Sequence, residues 1–252
     1  MINQLLHRDP TGVDSQQHRN VRVKVPVTDW RMTEQLNAAF LTGVEFGDAA
    51  RDFPVVFVRA GQDADGKPEI APIAVLGMVQ NENLYVEADG KWRARYIPAS
   101  LATYPFAVGR IDEERFAVCM DAAWPGVNTT EGEALFNAAG EPTEFLKQVQ
   151  QQLETLETET QRTRVLCRRL WDLGLLTDMR FDAKLVDGRE LAVDGFLAID
   201  EAKLTALPEA EVVDLHRSGL LGLIHAHFVS MGHMRRLLDW HVVRHNLLPA
   251  QA

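Results

Sequence analysis

The chain has 252 residues, 46% apolar and 25% charged, enough for one large domain or two small ones around a sizeable core. A net charge of −10 runs against a duplex nucleic-acid binder, which needs a concentrated positive face; Arg162, Arg164, Arg168 and Arg169 form the only dense basic patch. Two cysteines, Cys119 and Cys167, stand in no metal or redox spacing and exclude a disulfide-stapled scaffold, which points to a reducing, cytoplasmic setting.

From Met1 to Val13 the chain carries His7, Arg8, Asp9 and Pro10 and lacks the apolar stretch of a signal peptide. No run reaches the roughly 20 apolar residues of a membrane helix; Leu220 to Met231 is short and broken by two histidines. The first half reads as β-rich. Pro54 to Val58 and Ile70 to Val79 are apolar runs around an Asp65-Gly66 turn. Asn83 to Glu87, then Asp89-Gly90, then Lys91 to Tyr96 is the pattern of a hairpin. Phe106 to Arg110 and Arg115 to Met120, around Asp112-Glu113-Glu114, predict another. Pro54, Pro68, Pro72, Pro98 and Pro105 predict short or edge strands.

The period then changes. Leu146, Val149, Leu153, Leu156, Thr160, Thr163, Cys167 and Leu170 recur three and four apart, one stripe of a helix from near Pro142 to near Gly174. The stripe suits a helix lying on a sheet; a dimerising coiled coil through the 142–174 helix is the alternative, weakened by the two threonines in the seam. A C-terminal hairpin follows, Phe181 to Val186, Asp187-Gly188, Leu191 to Ile199. Asp200 is placed to cap a short helix, Glu209 to Ser218 forms another that stops at Gly219, and a last helix runs from about Leu220 to His245. The fold class is therefore α+β. A boundary near residues 130 to 143 divides a β-rich region, 1–131, from the helix, hairpin and C-terminal helices of 132–252, the two forming one cooperative unit.

Five histidines fall between residues 225 and 245. On a helix His225 and His227 sit about 200° apart and cannot share an ion. His227 instead joins the core-facing stripe Leu220, Ile224, His227, Met231, Met234, Leu238. His241 and His245 have the four-residue spacing of paired metal ligands, but the glutamate of the metalloprotease motif is absent and the pair sits at a chain end, so no metal is assigned. Asp63 to Gly66 lacks the remaining acids of a calcium loop and reads as a turn. No phosphate loop, nucleophile elbow or dinucleotide fingerprint occurs, and no cofactor is expected. The constellation that suggests binding is aromatic and basic: Tyr85, Trp92, Arg93, Arg95, Tyr96, Tyr104 and Arg110. With His227 in place of Arg93, these are the candidate binding residues, set against the alternative that the aromatics fill the core.

Several blocks in fixed order, over about residues 18 to 239, resemble the bacterial SapC family. They are Glu45-Phe46 with Phe53 to Phe57; Asn83 to Val86, Trp92, Tyr96 to Ala99 and Tyr104 to Phe106; Leu135-Phe136 with Gly140 to Thr143; then Asp187-Gly188, Gly195-Phe196, Ile199 to Glu201, Lys203-Leu204, His225 to His227 and Ser230-Met231. The resemblance implies a link to a paracrystalline surface layer and offers no catalytic residues. The reading that follows is a non-catalytic binding or accessory protein for peptide or surface-layer cargo. A histidine-dependent enzyme or metal protein using the C-terminal helix, and a structural subunit of a surface layer, are the alternatives.

Overall fold

The structure, a computed structural model, describes residues 2–63, 65–110, 116–184 and 188–247, with Arg110 as backbone only. The expected turn residues Asp112, Glu113, Glu114 and Asp187 lie outside the described residues, as does the side chain of Arg110. In chain order the strands are β1 (Pro10–Gly12), β2 (Arg22–Val23), β3 (Ala38–Phe40), β4 (Val55–Gln62), β5 (Pro68–Val75), β6 (Phe106–Arg110), β7 (Phe116–Asp121), β8 (Val127–Asn128), β9 (Glu133–Ala134), β10 (Leu176–Lys184) and β11 (Glu190–Ile199). The helices are α1 (Phe46–Ala49), α2 (Ala99–Ala102), α3 (Glu144–Asp172), α4 (Glu201–Thr205), α5 (Glu209–Arg217), α6 (Leu220–Ser230) and α7 (His233–Arg244). The fold is α+β, with antiparallel pairing in each sheet.

Contacts divide the chain into two compact units, each assembled from separated segments. The first comprises Met1–Gln35, Val86–Arg93 and Ala99–Thr158. It holds a sheet in the order β1-β7-β6 and a small sheet in the order β8-β2-β9. Its core gathers Val23, Phe106, Met120, Leu135, Phe136 and the start of the helical stripe, Leu146, Val149 and Leu153. Thr143 accepts the Leu146 N–H and caps this end of α3.

The second unit comprises Leu36–Tyr85, Ala94–Pro98 and Glu159–Ala252. Its sheet runs β10-β11-β4-β5-β3. The expected hairpins around residue 65 and around residue 187 are both present as β4–β5 and β10–β11. Asp63 makes the first turn by accepting the N–H groups of Asp65 and Lys67. Pro72 sits inside β5, but the ladder to β3 begins only at Ile73, so its missing N–H breaks no pair. In this unit α3 continues the stripe through buried Thr160, Thr163, Cys167 and Leu170, and Thr163 accepts the Gly43 N–H at 2.7 Å. Gly174, at φ 68°, ends the helix: its N–H reaches the Trp171 carbonyl and the Leu175 N–H reaches that of Leu170, the paired bonds of a Schellman stop. Asp200 caps α4 by accepting the N–H groups of Ala202 and Lys203, and Gly219 in the left-handed region follows α5.

Two expectations are corrected. The single terminal helix is two helices, α6 and α7, separated at Met231 and Gly232. Ser230 donates to the His227 carbonyl at 2.6 Å, a local bond that competes with the helical ladder, and glycine follows it within two residues. The hairpin expected over 83–96 is reduced to one bridge, Val86 to Trp92. The partners that a ladder would use are taken elsewhere. Within the first unit Glu87 N–H still reaches the Lys91 carbonyl beside the turn, but the Lys91 N–H goes to the Asp89 carboxylate. Within the second, the Asp52 carboxylate accepts the N–H groups of Arg95 and Tyr96.

Candidate functional site

The candidate binding residues are distributed over both units: Trp92 and Tyr104 belong to the first, Tyr85, Arg95, Tyr96 and His227 to the second. Tyr85 is fully buried, its ring against Phe53 and Trp240 and its hydroxyl donating to the Asp52 carbonyl. Tyr96 is half-buried and donates to Glu45 at 2.8 Å; burial and the Glu45 charge push its hydroxyl well above the ordinary phenol range. Arg95 is exposed. Trp92 is half-buried with its ring 5.7 Å from that of Trp30.

His227 is 1% exposed and both ring nitrogens meet backbone. Nδ1 lies 2.7 Å from the Val55 carbonyl, and Nε2 accepts the Ile199 N–H at 3.1 Å. These contacts select the tautomer protonated on Nδ1, and burial holds the imidazole pKa below its ordinary value. Ser230, one turn along α6, accepts the Val55 N–H. The pair thus fastens α6 to the start of β4 and the end of β11.

Tyr104 leads to an open site in the first unit. A cleft of about 680 Å³ is lined by Tyr104, Trp124, Arg8, Lys24, Arg31 and Asp121, among others. Its back is rigid. Buried Asp121 accepts the Tyr104 hydroxyl at 2.7 Å and the Asp9 N–H at 2.8 Å. Burial alone would raise the Asp121 carboxyl, but those donors outweigh it and hold it below the usual range. Trp124, half-buried, meets Tyr104 edge-on with ring centres 5.5 Å apart and folds over Gly126, where a Cβ would lie 2.2 Å from the indole. The rim carries two exposed ion pairs, Lys24–Glu131 at 3.0 Å and Arg31–Asp29. Such pairs contribute about 0–1 kcal/mol, so a charged ligand can exchange for one partner at little cost. A second groove of about 490 Å³ in the same unit has a floor including Val108, Val118, Phe136 and Leu146, with Asp14 and Glu154 at its margin.

The family model for SapC matches residues 13–237. The chain belongs to the SapC family. No curated protein and no solved structure matches it. Among the described residues of this SapC-family chain, no helix is long and apolar enough to cross a membrane.

Glu82, His241 and His245 form a separate cluster within the second unit, with one ligand atom from each lying within 4.8 Å of the others. His241 and His245 are the pair singled out by spacing; the acid comes from a loop 159 residues earlier in the chain. That loop is tightly specified. Asn81 takes φ 60°, Leu84 N–H closes back on the Leu76 carbonyl, and Gly77 passes where a Cβ would lie 2.0 Å from the Glu82 carbonyl. Sequence reasoning missed Glu82, Asp121 and Trp124. Only Trp124-Pro125-Gly126 carries a local signal, a turn with an aromatic at its mouth.

Proposed function

We propose that the protein is a non-catalytic binding or accessory protein of the cytoplasm, holding a peptide or surface-layer protein segment in the cleft of the first unit. The carrying observation is that cleft: a pre-set Trp124–Tyr104 wall facing exchangeable charge pairs, in a volume suited to a few side chains. Tryptophan, tyrosine and arginine are the side chains that dominate binding energy at interfaces, and an indole already fixed against Gly126 and Tyr104 loses little freedom on binding. Among its described lining residues the second groove has no tryptophan, tyrosine, lysine or arginine, and so lacks the anchors and exchangeable cations of the first. The resemblance to surface-layer-linked proteins supports the cargo class, and two free, buried cysteines fit a reducing compartment.

The test is fluorescence polarisation with labelled ten-residue peptides that vary one aromatic anchor and one acidic position. Trp124→Ala is expected to weaken the best peptide at least about 30-fold while leaving the circular dichroism spectrum unchanged. Equal binding by wild type and Trp124→Ala would end the reading.

A further inference from the structure

We propose that Glu82, His241 and His245 form an open three-ligand site for a divalent first-row transition metal, zinc being the reference ion. This is independent of the peptide reading and lies in the other unit. His241 Nδ1 stands 2.9 Å from Glu82 Oε1, and His245 Nε2 stands 2.8 Å from the same oxygen. Ligand atoms held at about 2.1 Å from a metal lie about 3.0 Å apart when adjacent on an octahedron and about 3.4 Å apart on a tetrahedron. The observed separations therefore admit an ion after small outward movements of the side chains.

The environment points the same way. Glu82 is 6% exposed, and a buried carboxylate is costly without compensating charge. Among the described residues its partners are the Met78 N–H, at 2.9 Å, and the two imidazoles; no lysine or arginine is paired with it. The nearby guanidinium of Arg244 donates instead to the Asn83 carbonyl. The Met78 N–H and the two imidazoles satisfy the carboxylate by hydrogen bonding, and a dication among the three groups would replace the two imidazole contacts by coordination while keeping the Met78 bond. Two imidazoles and one carboxylate suit zinc, cobalt(II) or iron(II) and not calcium or magnesium, which take oxygen ligands. His241 lies in the last turn of α7 and His245 is the residue that ends it, its N–H still reaching the His241 carbonyl at 3.0 Å, which leaves the two rings 4.4 Å apart at the helix end. Position also separates the roles. His241 and Glu82 are buried, whereas the His245 side chain is 46% exposed and opens the site to water. Three protein ligands with solvent access on one side is the arrangement of a zinc site that keeps a coordination position for water or substrate.

The test uses the full-length protein stripped with chelator and then freed of it. Cobalt(II) titration is expected to produce visible d–d bands that saturate at one ion per chain, and zinc calorimetry to give the same stoichiometry with a Kd at or below about 1 µM. Glu82→Gln and His245→Ala should each weaken zinc at least about 100-fold, more than the loss typical of removing an outer-shell partner. His225→Ala, at an exposed histidine outside the cluster, should change nothing. If circular dichroism shows Glu82→Gln unfolded, the exposed His245→Ala decides the matter alone. Absence of one-to-one binding, or binding undiminished in His245→Ala, overturns the proposal and leaves the cluster as a hydrogen-bonded acid–imidazole clamp.

Discussion

Replacing His227 with alanine should be among the most damaging single changes in the second unit. The imidazole bridges the Val55 carbonyl and the Ile199 N–H with no water-exposed edge, so its removal strands two buried backbone groups at once. Each stranded group costs about 1–3 kcal/mol. With the void left against Phe57 and Phe228, the total should reach about 3–5 kcal/mol, the exceptional end for one substitution. In urea at pH 7 this moves the unfolding midpoint down by about 1–2 M, and in a thermal scan it lowers Tm by about 6–20 °C. Asparagine, which can still donate to Val55 but no longer reaches Ile199, should lose about half as much. The pH dependence has a definite sign. The folded pKa lies below the unfolded one, so the stability owed to neutral His227 is complete above about pH 6.5. It drains away as pH falls below that value, because the unfolded chain then takes up a proton that the folded chain resists. His227→Asn should therefore flatten, without abolishing, the slope of stability between pH 5 and 6.5, since His7 and His233 are depressed in the same direction. A loss below about 1 kcal/mol in His227→Ala, or an unchanged slope, would refute the account of this residue.

Ser230→Ala removes the acceptor for the Val55 N–H and should cost about 1–3 kcal/mol in urea melts, with a loss smaller than a few tenths contradicting the stitching role. Gly174→Ala places a Cβ on a left-handed residue and should cost about 1–2 kcal/mol, measured in the same way. Gly126→Ala is a different probe: the new Cβ would meet the far edge of the Trp124 ring, so the indole must swing away while the backbone can stay. It should leave the far-ultraviolet spectrum intact and reduce peptide affinity nearly as much as Trp124→Ala.

What could be read from the sequence was local. The three-and-four spacing from Leu146 to Leu170 delivers α3 because each apolar or threonine side chain in it is buried or half-buried on one helix face, and Gly174 stops it for a reason visible in one residue. The β4–β5 and β10–β11 hairpins likewise follow from a turn between two β-rich runs. The failures are non-local. Asp89-Gly90 does form its turn, but Asp52, distant in sequence, takes the N–H groups of Arg95 and Tyr96 that a longer ladder would use. Strands of two residues such as β2, β8 and β9 have no periodicity to detect. The candidate sites share this property. Spacing exposes His241 and His245 as a pair, yet nothing near either residue announces Glu82. Tyr104 stands out by composition, but its cleft depends on Asp121 and on a glycine that lets Trp124 lie over the backbone.

The central functional claim concerns which aromatic wall receives a ligand, and a nuclear magnetic resonance titration of the intact protein addresses it most directly. With the tightest peptide of the panel, the indole resonance of Trp124 and the amides of Ala123 and Gly126 should shift in proportion to occupancy, while the Tyr85 amide and the Trp92 indole stay in place. Shifts centred on residues 85–96, or saturable binding that leaves Trp124 unmoved, would contradict the account.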